Sequence, residues 1–65
     1  MYQVQYKVGG ERWADDMKYA SLDEALSFAA REARTSIKLY HRVITLKKKG
    51  KVKVLAKFKP MAGHQ

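Results

Sequence analysis

Ser21-Leu22-Asp23-Glu24-Ala25-Leu26-Ser27-Phe28-Ala29-Ala30-Arg31-Glu32-Ala33-Arg34 is the stretch on which the fold turns. Ser21 followed three residues later by Glu24 is a capping box, in which a hydroxyl and a carboxylate satisfy backbone N–H groups at the start of a helix. Asp23 suits the positive end of the helix dipole, and Arg31 and Arg34 suit its carboxyl end. Leu22, Ala25, Leu26, Ala29, Ala30 and Ala33 recur at i, i+3, i+4, i+7, i+8 and i+11, which gathers them into one stripe able to lie against a sheet. Small alanines in that stripe allow close approach. Phe28 stands off it, beside Glu24 and Glu32, and is expected either to tuck under an arm carrying Trp13 or to face a partner.

The chain on either side of this helix reads as strands. Tyr2, Val4, Tyr6 and Val8 alternate with Gln3, Gln5 and Lys7, the period of a half-buried strand. Gly9-Gly10 ends it, and pairing Val8 with Glu11 across a two-residue turn sets Trp13 opposite Tyr6 and Met17 opposite Tyr2. The same register sets Asp15 opposite Val4, a poor fit, so the second segment is either a strand or an irregular arm. After the helix, residues 38–46 and 52–59 read as two strands joined by Lys47-Lys48-Lys49-Gly50-Lys51. A type I turn with Gly50 in the left-handed position pairs Lys47 with Lys51. An inner face then gathers Tyr40 with Phe58, Ile44 with Val54 and Leu46 with Val52. The outer face gathers Thr45 with Lys53, Val43 with Leu55, His41 with Lys57 and Leu39 with Lys59. The expected fold is α+β: a small antiparallel sheet built as hairpin, helix, hairpin (ββαββ or βαββ), with one amphipathic helix on one face. One domain is expected over residues 1–60, with 61–65 a mobile tail.

Charge is segregated along the chain. Residues 37–65 hold nine bases and no acid: Lys38, Arg42, Lys47, Lys48, Lys49, Lys51, Lys53, Lys57 and Lys59. Residues 1–36 hold five bases and six acids, so the net +8 resides in the second hairpin. Such an excess serves either an anionic partner or solubility. Lysines two apart on a strand repeat at about 6.6 Å, close to the phosphate spacing of one nucleic-acid strand. If four to six of them neutralise phosphates, log affinity falls with log salt at a slope of roughly −4 to −5. The expected contact surface is Lys47, Lys48, Lys49, Lys51, Lys53, Leu55, Lys57 and Lys59, with Tyr40, His41, Arg42 and Val43 as secondary candidates.

Other chemistry finds little to work with. There is no cysteine, which excludes disulfides and thiolate metal sites, and a 65-residue core is marginal enough that a homodimer would supplement it. A nucleophile needs an adjacent base, yet the only histidines are His41 and His64 and the serines look structural, so no catalytic residue, cofactor or metal ligand is expected. Glu11, Asp15 and Asp16 lack the ligand spacing of a calcium loop, and an acid follows Gly9-Gly10 where a phosphate loop would need none. No apolar run approaches the roughly 20 residues of a spanning helix, so the protein is read as cytoplasmic and free of the membrane.

Tyr19-Ala20-Ser21-Leu22-Asp23-Glu24-Ala25-Leu26 followed by Ala29 resembles the helix start of the small host RNA polymerase inhibitor of T7-type phages. In size and organisation the chain is similar to phage-encoded host-takeover and anti-CRISPR proteins. That resemblance implies a stoichiometric inhibitor acting in a bacterial host cell by docking on a nucleoprotein machine. The basic balance departs from the acidic polymerase inhibitor, so no binding residues carry over. Two partner classes follow for the lysine strip: an acidic protein surface of such a complex, favoured because Leu55 with Val43 forms an apolar centre that phosphate binding does not require, with the DNA or RNA backbone itself as the alternative.

Overall fold

The computed structural model describes residues 1–46 and 52–62. Helix α1 (Leu22–Thr35) starts where the capping box places it: Ser21 is extended (φ −108°, ψ 135°) and its Oγ accepts from the Glu24 N–H at 3.5 Å. Four strands complete a ββαββ chain, β1 (Tyr2–Val8), β2 (Ala14–Tyr19), β3 (Leu39–Leu46) and β4 (Val52–Phe58). They form one antiparallel sheet in the order β2-β1-β3-β4. Because β1 lies between β2 and β3, the helix that joins those two strands must cross over β1. It sets the fully buried Ala25 and Ala29 against Val4 and Val43, which face each other across β1 and β3. Tyr2, Tyr19, Leu22, Leu26, Phe28 and Phe58 close the margins. Burying each valine contributes about 1.5–3 kcal/mol, and the alanines contribute mainly by letting the helix approach.

Alternation from Val4 and Val43 puts Tyr2, Tyr6, His41 and Thr45 on the helix side, and Gln3, Gln5, Lys7, Tyr40, Arg42 and Ile44 on the opposite side. The second hairpin therefore departs from expectation. Ile44–Val54 and Leu46–Val52 do pair, but on the face away from the helix, and the register shifts between Val43 and Ile44. Leu55 is the extra residue of a β-bulge, so Ala56 pairs with Val43, Lys57 with Arg42, and Phe58 with His41 rather than Tyr40. The bulge lets Phe58 reach the core while Lys53 and Lys57 fall on opposite faces.

The first hairpin turns as expected, with the Glu11 N–H donating to the Val8 carbonyl at 2.9 Å and Gly9 at φ 49°. Beyond the turn it slips. Ala14, not Trp13, pairs with Tyr6, and Tyr19, not Met17, pairs with Tyr2. A bulge sets Asp16 and Met17 against Val4, and the buried Gln3 pins it: Nε2 donates to the Met17 carbonyl at 3.1 Å and to the Val4 carbonyl at 3.0 Å. The one-residue slip before Ala14 releases Asp15 from Val4 and pairs it with Gln5. Phe28 is covered by Tyr19, with ring centroids 5.7 Å apart, rather than by Trp13.

The start of the tail is tied down. The Met61 and Ala62 N–H groups donate to the Ala33 and Ser36 carbonyls at 2.9 and 3.0 Å, satisfying acceptors at the carboxyl end of α1. Residues 63–65, the rest of the segment expected to form a tail, lie outside the described residues. Among the described residues no helix is long and apolar enough to cross a membrane.

Two stability effects follow. Ala29→Leu should overpack the helix contact and cost about 1–3 kcal/mol, measured as a lower urea midpoint. Asp16 behaves differently, because partial burial, then the Glu32 carboxylate, raise its pKa while His41 opposes them. With its folded value above the unfolded one, the ionised carboxylate disfavours the native state once pH exceeds that value. Asp16→Asn should therefore raise the urea midpoint at neutral pH, and the gain should fade as pH falls through the raised folded value and be gone below the ordinary carboxylate value of about 4.

Candidate functional site

The sheet face away from α1 carries two rows of side chains near the Gly9 end. The register aligns Asp15, Gln5, Arg42 and Lys57 across all four strands in one row. In the next, Lys7 pairs with Tyr40, with Trp13 on the approach to β2 and Lys59 just past β4. The first row is wired by hydrogen bonds: Gln5 Nε2 donates to Asp15 Oδ1 at 2.9 Å, and Arg42 Nε donates to Gln5 Oε1 at 2.7 Å. Gln5 thus uses both ends of its amide, and its bond to Arg42 engages one of the five guanidinium donors.

Trp13 joins the rows. The Arg42 guanidinium carbon lies 4.4 Å and Lys7 Nζ 4.9 Å from its ring centroid, two cation–π contacts that hold the cations in place. Beside them lies an open cleft of about 390 Å³ lined by Lys7, Gly9, Trp13, Tyr40, Lys57 and Lys59. Tyr40 and Lys59 also line an adjoining hollow with Pro60 and Met61. Tyr40 is 37 % exposed. At the other end of the second hairpin, Leu46, Val52, Val54 and Leu55 leave an exposed apolar group.

This geometry re-sorts the residues expected from sequence. Lys57, Lys59, Tyr40 and Arg42 come together. Lys53 pairs with Thr45 on the helix side and leaves the ladder, because the bulge at Leu55 reverses the alternation between Lys53 and Lys57. Leu55 remains exposed at that bulge, so it no longer sits between two aligned lysines. His41 and Val43 are buried on the helix side, where they can meet no partner. Lys47, Lys48, Lys49 and Lys51 lie outside the described residues. Lys7, Trp13 and Gln5 were missed as site residues. The available signal was Lys7's place on the polar side of β1: once Val4 faces the helix, Lys7 must share a face with its neighbours on β3.

Among the described residues no cluster of three His, Asp or Glu side chains could hold a metal ion. No family model matches the chain, nor does any curated protein or solved structure.

The sole tryptophan reports on this site directly. Arg42→Ala should uncover the Trp13 ring and shift its fluorescence emission to the red. Gln5→Leu should give a smaller shift of the same sign by freeing Arg42, and unchanged emission in both variants would show that Arg42 does not cover the ring in solution.

Proposed function

We propose that this protein binds nucleic acid through the helix-free face of its sheet, holding the phosphate backbone without reading sequence. The observation that carries this reading is the convergence of Lys7, Arg42, Lys57 and Lys59 around the exposed Tyr40. Lys57 and Lys59 are two apart in sequence, so their Cα atoms stand about 6.6 Å apart in extended chain, a step comparable to that between successive phosphates. Arg42 is held by Gln5 and Trp13 before any ligand arrives, which lowers the ordering cost of binding. Sequence reading would need side chains committed to base edges, whereas Gln5 spends its amide on Asp15 and Arg42.

A second reading is favoured by the apolar group Leu46, Val52, Val54 and Leu55, which phosphate binding does not require. In it the protein is a stoichiometric inhibitor of the phage-encoded kind, docking on a protein surface of a host nucleoprotein machine.

Fluorescence anisotropy with a labelled oligonucleotide tests the first reading. Four phosphate contacts on a single strand imply a log–log salt slope near −3. Lys57→Glu should weaken binding about tenfold or more and flatten that slope by roughly one unit, while Lys53→Glu, on the other face, should change it about twofold at most. Equal losses from the two lysines would reject the face assignment. Leu55→Asp should leave oligonucleotide binding nearly intact; binding lost with Leu55 and indifferent to Lys57 would favour the protein interface.

A further inference from the structure

We infer that the cleft between Trp13 and Tyr40 receives one unstacked nucleobase, so that the preferred ligand is a single strand. This inference rests on the nucleic-acid reading above and adds to it the form of the nucleic acid. A purely electrostatic phosphate site needs cations alone, and it gains nothing from an aromatic ring open to solvent among them. Here Tyr40 is more than a third exposed, and it lies within a cleft whose six lining residues include three lysines and no carboxylate. Trp13 plays another part. Its ring is engaged by Arg42 and Lys7, so it acts as a wall of the cleft and leaves Tyr40 as the platform for a further flat group.

The surroundings select what that flat group is. A base within a duplex shows its edges in the grooves and keeps its faces stacked on neighbours, so only an unpaired base can lay its face on Tyr40. The cleft volume of about 390 Å³ accommodates one such ring system with room for its sugar. Lys7 lies on one side, across the β1–β3 pairing from Tyr40, and Lys57 and Lys59 lie on the other, at β4. A strand crossing from β1 toward β4 would therefore meet a cation before and after the stacked base. An acidic peptide would satisfy the lysines but leave the ring without a planar partner.

Trp13 fluorescence supplies the readout without a label. The wild-type chain is titrated with oligothymidylate of about a dozen nucleotides, an abasic strand with the same number of phosphates, a duplex of equal length, and polyglutamate. Oligothymidylate should bind about tenfold or more tighter than the abasic strand and tighter than the duplex. Tyr40→Ala should abolish that margin by weakening oligothymidylate alone, whereas Tyr40→Phe should retain it. Equal affinity for thymidylate and abasic strands in the wild type would overturn the base cleft while leaving the phosphate reading standing, and preference for the duplex would do the same. Polyglutamate bound as tightly as oligothymidylate, or no oligonucleotide binding at low salt, would overturn both.

Discussion

The close seat of an alanine stripe on a valine pair organises this molecule. Ala25 and Ala29 present almost no side chain, so α1 can settle directly onto Val4 and Val43 at the middle of the sheet. A helix that small at its contact side cannot be shared between faces. It commits every residue in phase with Val4 and Val43 to one layer and every residue out of phase to the other. The division between core and working surface is thus a consequence of the helix sequence and the parity of two central strands.

The opposing face then inherits whatever lies out of phase, which on β1 and β3 is the buried Gln3 and Ile44 and, toward the Gly9 end, Gln5, Lys7, Tyr40 and Arg42. The two edge strands contribute through irregularities. On β2, the slip before Ala14 aligns Asp15 with Gln5, which in turn orients Arg42, and the bulge pinned by Gln3 brings Tyr19 opposite Tyr2. On β4, the extra residue Leu55 sends Phe58 to the core and Lys57 to Arg42. Each bulge resolves a conflict between a strand's own pattern and the layer it must join, as bulges commonly do at sheet edges.

The elements were legible in the chain, and the phase of the second hairpin was not. The helix is over-determined, because cap, dipole charges and apolar spacing agree from Ser21 to Ala33. β1 is equally plain, since its aromatics and valines share one parity. β3 offers no such guide: Leu39 and Val43 compete with Tyr40, Ile44 and Leu46, so both faces look apolar and a strand pattern alone cannot say which meets the helix. Bulges defeat the reading further, since a period of two carries no mark of where a residue is inserted. Trp13 was misplaced for this reason, as the Gly9-Gly10 turn was right but the chain slipped by one residue before β2. The charge excess was visible in the sequence, whereas its partition between two layers required the register.

Leu55 holds a disproportionate share of the architecture for an exposed residue with no core contact of its own. Drawing it into the ladder, so that Leu55 rather than Ala56 paired with Val43, would invert everything downstream through the plane of the sheet. Lys57 would then point at the alanines, and Phe58 would point at water. Backbone conformation, at this one spot in β4, matters more than side-chain chemistry: many side chains could stand in for leucine there, provided the residue stays out of the pairing.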